Sequence, residues 1–173
     1  MVRFLPLVML LLFSFPAHAL EMEEGADAPT RTIEDFIKDY VDVPKGAIDW
    51  KTFGHTKMKN IESADKDGLT LQYYKPEFSG DLKKLDGKEV TIKGFMFPLD
   101  ETEKQGKFLF GPFPLNCPFQ YHVQPNLVLE VDATANPVPF SYDPVTLSGT
   151  LELVPDDPEN STFYRLLGAK TSR

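Results

Sequence analysis

Cys117 and His122 are the residues of this chain with the sharpest chemistry, and they bound the segment Cys117-Pro118-Phe119-Gln120-Tyr121-His122. A thiolate and a neutral imidazole are natural soft and borderline ligands for Zn(II) or Cu(I). A structural zinc site uses four donors, so Met96 (a thioether), Asp100 (a carboxylate) or a partner's side chain would have to complete the set. A second reading stands beside it: a lone cysteine is commonly a small buried hydrophobe, and His122 is then a polar residue at a loop end. Used as nucleophile and base, the pair would need a third group to orient the imidazole and an oxyanion-forming loop. No glycine-rich segment flanks Cys117, so the residues do not spell an enzyme. A redox role would require a resolving thiol, and the chain has one cysteine.

The elements that must hold these residues divide into a front and a back. Thr32 and Asp35 form a capping-box-like pair, and Ile33, Phe36, Ile37 and Tyr40 follow at helical spacing, which predicts a helix stopped by Pro44. Ile48, Trp50 and Phe53 fit a short helix or an extended segment. Leu69, Leu71 and Tyr73 alternate toward Pro76 as a short strand. From residue 85 onward the period is two. Strands are expected at 89–97, 107–110, 127–132, 145–153 and 163–169, with Gly94 and Gly149 bending the first and fourth. Val90, Ile92, Leu147, Leu151 and Leu167 are the expected inward positions. About five bent strands with a turn-rich middle predict a mainly β chain with a small Greek-key barrel of the oligonucleotide/oligosaccharide-binding (OB) type; a β-sandwich is the alternative. The helical front, 32–84, would cover one mouth of the barrel, 85–173. The phenylalanines at 95, 97, 108, 110, 113 and 119 read as core, and His55 as solvated.

The first residues read as an address. Arg3 supplies a basic start, residues 4–15 (FLPLVMLLLFSF) an apolar run, Pro16 a break and Ala17-His18-Ala19 a small-x-small cleavage site. A membrane span needs about 20 apolar residues, more than this run holds. Residues 1–19 are therefore expected to be a signal peptide, removed on export to the periplasm, followed by an acidic leader at 20–31. The formal charge of −8, from 18 basic and 26 acidic residues, weighs against a nucleic-acid partner held through phosphates. One cysteine excludes an internal disulfide framework.

The stretch LDGKEVTIKGFMFPL (85–99) resembles the signature of a family of small exported bacterial proteins, domain of unknown function 3299. Ile48-Asp49-Trp50, the single Cys117 in a loop after a strand, and Pro125-Asn126 match the same pattern. Many members carry Cys-x-His followed by prolines; here the histidine is displaced to His122 and the prolines are thinned. The resemblance implies genes placed beside transporter components, some linked to zinc supply. Two functions follow. One is a non-catalytic periplasmic adaptor for a membrane transporter, handling a metal through the Cys117 loop. The other is a metal-free interaction domain with a buried cysteine.

Overall fold

The computed structural model describes residues 31–64, 68–117 and 123–172. The expected signal peptide and nearly all of the acidic leader lie outside the described residues, as do Phe119 and His122. Five strands close into a barrel: β3 (Glu89–Pro98), β5 (Lys107–Gly111), β6 (Leu129–Asp132), β9 (Tyr164–Thr171) and β8 (Val145–Leu153), in that order around the wall. The β6–β9 pair is parallel and the others are antiparallel. This is a small OB-like Greek-key barrel, and closure sets the sandwich aside.

Gly94 makes the closure possible. Residues 89–94 of β3 pair with β8, and residues 95–98 pair with β5, so the strand changes partner at the glycine. A Cβ at position 94 would lie 2.6 Å from the carbonyl oxygen of Gly111 and 3.0 Å from the rings of Phe110 and Trp50. Inside the wall Ile92, Phe108, Phe110, Leu129, Val131, Leu147, Leu151 and Leu166 are fully buried, and Val90 nearly so. Leu167 does not join them: it faces outward, 36% exposed. A one-residue register shift separates Ser148↔Lys170 from Thr150↔Leu167, beside Gly168 at φ +60°. This bulge reverses the inside–outside phase, so alternation counted from Ala169 misplaces Leu167 and the inward residue is Leu166.

The front is less helical than its periodicity implies. Helix α1 (Ile33–Ile37) has the expected capping box, Thr32 N–H donating to Asp35 Oδ2 at 3.1 Å and Asp35 N–H to Thr32 Oγ1 at 3.4 Å. It stops at Ile37, well before Pro44. The chain tightens into i→i+3 bonds at Asp39 and Tyr40, and Tyr40 lies edge-on against Phe113 at 5.5 Å. Helix α2 (Trp50–Gly54) plugs one mouth of the barrel. Trp50 Nε1–H donates to the Lys93 carbonyl at 2.7 Å, and Phe53 packs on Tyr164 at 4.9 Å. Strand β2 (Thr70–Glu77) pairs along its whole length with β1 (Lys57–Ala64), which has no alternation to announce it. Helix α3 (Gly80–Lys83) leads into β3. A short pair, β4 (Lys104–Gln105) with β7 (Val138–Pro139), extends the far end.

Candidate ligand-binding face

Cys117 is 3% exposed and belongs to the continuous apolar core. Its thiol neighbours the hydroxyl of Tyr40, and that neighbour, with partial burial, pushes the Tyr40 phenol above its ordinary range. Met96 is likewise a core side chain, 1% exposed, opposite Phe110 in the β3–β5 register. Asp100 is exposed in the turn after β3. There its Oδ1 accepts from the N–H of Thr102 at 2.9 Å, and bonds from the Thr102 hydroxyl and N–H hold its carboxyl below the usual carboxylate range. Among the described residues no three His, Cys, Asp or Glu side chains converge as metal ligands. Of the four sequence candidates, then, Cys117 and Met96 are packed inside, Asp100 serves its own turn, and His122 lies outside the described residues.

A ligand-sized concavity lies elsewhere. A groove of about 530 Å³ runs over the outer face of β5 and β6. Leu109 and Val128 form part of its floor, Leu99, Val123 and Pro125 add apolar wall, and Glu130 with residues 160–162 supply polar groups. Its size falls within the ordinary range for ligand clefts, about 300–1,000 Å³. In OB barrels the outer face of the second and third strands, with the first–second and fourth–fifth loops, is where ligands sit. Here those are β5, β6, the turn beginning at Leu99 and the loop 154–163.

The loop wall is held from two sides. Asp157 Oδ1 accepts the N–H of Asn160 at 3.2 Å, and the Asp157 carbonyl accepts the N–H of Ser161 at 2.9 Å. Ser161 takes the left-handed conformation at φ 54°, which costs a non-glycine residue about 1–2 kcal/mol, and its Oγ accepts the N–H of Tyr74. One residue before Asp157, Asp156 receives the hydroxyl of Tyr73 at 3.0 Å and the ammonium of Lys75 at 2.8 Å, and these two partners lower its pKa. The β1–β2 pair therefore braces the groove's rim. On the floor, Glu130 lies 3.4 Å from Arg165.

Sequence reasoning missed this face because it followed reactive side chains. A usable signal was present: Leu109 and Val128 are apolar at positions whose neighbours on both sides point inward, where a solvated barrel wall would carry polar residues. No helix among the described residues is long and apolar enough to cross a membrane.

A family model described as "Protein of unknown function (DUF3299)" matches residues 42–170, which take in the chain from after α1 to the next-to-last residue of β9 and every lining residue named for the groove. No curated protein and no solved structure gives a significant match. The chain belongs to the family of domain of unknown function 3299.

Proposed function

We propose that this protein is an exported, non-catalytic binding module that works as an adaptor through the β5–β6 groove. The observation that carries the reading is the groove itself: an apolar floor on the OB ligand face, walled by a loop that two separate sets of hydrogen bonds hold in place. Among the described residues its lining contains one acidic residue and no lysine or arginine, which favours a neutral or basic, partly apolar ligand over a nucleic acid or free phosphate. The burial of Cys117 against Tyr40 supports the metal-free form of the adaptor over one that handles zinc through this thiol. The transporter connection rests on the family resemblance alone, and the export step on residues 1–19.

The test is site-specific photo-crosslinking in cells. A photoreactive residue is placed at Leu109 or Val128 and, as a control, at Lys59 on the exposed β1. Discrete adducts are expected from the two groove positions in the osmotic-shock fraction, with none from position 59. Leu99→Asp should weaken the adducts without moving the thermal midpoint by more than about 2 °C, as for an exposed substitution. Recovery of the chain from the cytoplasm with Met1 retained would end the export part. Equal labelling from position 59, or no groove adduct, would end the binding part.

A further inference from the structure

Strands β1 and β2 form a two-stranded sheet that, among the described residues, joins no other strand. A hairpin of two strands is marginal in water by itself, and a third strand is one way such a sheet becomes stable. One edge of this hairpin is taken: the N–H of Tyr74 donates to Ser161 Oγ at 3.2 Å, so the outer edge of β2 faces the groove's rim. That bond also fixes the direction of the peptide groups in the pair. The N–H and C=O of one strand residue point to the same side, and successive residues alternate. Tyr74 turns its N–H away from β1, so its register partner Asn60 turns its own away from β2. Met58, Asn60, Glu62 and Ala64 therefore present N–H and C=O groups along the outer edge of β1. No backbone bond reaches that edge among the described residues. It is open from Met58 onward, since Asn126 Nδ2 lies 3.4 Å from the carbonyl of Thr56 just before it. Neither a proline nor a bulge blunts it, and its protection is the charge of Lys57, Lys59 and Glu62.

The edge is complementary to itself. We infer that it pairs, antiparallel, with β1 of a second copy of this chain about a two-fold axis at Ile61. In that register Ile61 meets Ile61 of the second copy in a non-hydrogen-bonded pair, where facing side chains come closest. Asn60 lies opposite Glu62 and Met58 opposite Ala64, and these pairs exchange the backbone bonds. Within each arm Ile61 already faces Tyr73, both half-buried, so one row across the four strands reads Tyr73, Ile61, Ile61, Tyr73. On the same face Lys59 comes opposite Ser63, and no like charges meet. Neighbouring registers lose this fit. An axis at Lys59 stacks one lysine on the other, and an axis at Asn60 sets Lys59 against Ile61 and Glu62 against Met58. Like charges directly opposite are destabilising, so the charges that discourage a foreign strand select this register. The pairing uses the side of the arm away from Ser161, so the β5–β6 groove of each copy stays open and the inference does not rest on what the groove binds. A contact one strand wide falls short of the about 800 Å² per partner of a stable complex, which makes the dissociation constant on the order of 10⁻⁴ M. At micromolar concentration the chain is therefore a monomer, and position 59 stays free to serve as a control for the groove.

Sedimentation equilibrium of the purified mature chain, from about 5 to about 500 µM, tests it alongside oxidative crosslinking at the upper concentration. The average mass should rise from one chain toward two. Asn60→Pro should hold it at one chain throughout, with the thermal midpoint within about 2 °C of native, because the N–H it removes points away from β2. Ile61→Cys should form a disulfide-linked dimer on mild oxidation, since its two copies would have Cα atoms about 4.5 Å apart. Ser63→Cys, about 14 Å from its own copy in this register, should not. Cys117 is buried and stays out of the reaction. A native chain that remains single at the highest concentration overturns the inference. So does a dimer that Asn60→Pro leaves intact, or one in which position 63 crosslinks as readily as position 61. If Asn60→Pro fails to fold, the two cysteine variants decide.

Discussion

Replacing Gly94 by alanine should separate a barrel that closes through this residue from one that merely contains it. A methyl at position 94 would sit 2.6 Å from the Gly111 carbonyl oxygen, and that oxygen belongs to a backbone paired with Phe95. Unlike a side-chain tip, it cannot step aside without opening the β3–β5 pairing. The other two contacts, at 3.0 Å, are rings locked in the core, Phe110 and Trp50, and Trp50 is further fixed by its bond to Lys93. Overpacking of this kind costs about 1–3 kcal/mol, and the backbone clash puts it at the upper end. Alanine in a strand otherwise gains about 0.5–1 kcal/mol over glycine, which leaves a net loss of about 2 kcal/mol. For a domain of this size that is roughly 4–8 °C in Tm. The matched control is Gly80→Ala at the start of α3, where nothing lies within 4 Å and φ is not positive; it should gain about 0.5 kcal/mol. Both are read by circular dichroism melts and urea titrations. A Gly94→Ala protein as stable as the native chain, with Gly80→Ala behaving as expected, would refute the claim that closure depends on this contact.

Tyr164→Phe removes a hydroxyl that donates within 2.6 Å of Thr56 Oγ1 and 3.2 Å of the Phe53 carbonyl, and should cost about 1–3 kcal/mol by urea titration. Burial raises the phenol of Tyr164 far above its ordinary value. The folded state therefore favours the protonated form, and this stability is intact below about pH 10 and lost as pH climbs beyond it. The native midpoint should fall more steeply above pH 10 than that of Tyr164→Phe. Asp156→Asn unties β2 from the groove's rim, so limited proteolysis should cut 57–77 and 154–163 faster while the barrel strands stay protected; unchanged cleavage would mean the tether is idle. Cys117 should react with a thiol reagent only in denaturant, and prompt labelling of the folded chain would contradict its burial.

Where one face of a strand is wet, the chain announced it. Residues 145–153 alternate because β8 turns one side to the core, and the strand spans those residues. Gly94 was legible as a bend because a glycine inside an apolar strand leaves few other uses. Two features were not legible. Strand β1 is KMKNIESA, mostly exposed and mostly polar or charged, and its conformation comes from pairing with β2 rather than from burial. The phase of β9 was hidden by the bulge at Gly168: one added residue reverses every position on the far side of it, and a glycine in the strand marks that a bulge is near without saying which residues it displaces.

The site was less legible than the fold for a related reason. Residue type signals reactivity, but burial decides whether reactivity is available, and burial is a tertiary property. Cys117 follows a Pro- and Asn-containing turn that reads as exposed, yet the contact with Tyr40, 77 positions earlier in the chain, and the surrounding core claim its thiol. Asp100 drew notice as a carboxylate that could finish a zinc set. Its carboxylate is instead taken up by its own turn, accepting the N–H of Thr102 and the side-chain amide of Gln105. Leu109 and Val128, by contrast, have no reactive group and passed as ordinary strand residues. What distinguishes them is direction: both are half-buried apolar side chains on the outer side of the barrel, side by side in one groove. Among the described residues one acidic and no basic residue line that groove, and the proposed binding function is the use it gives these two side chains.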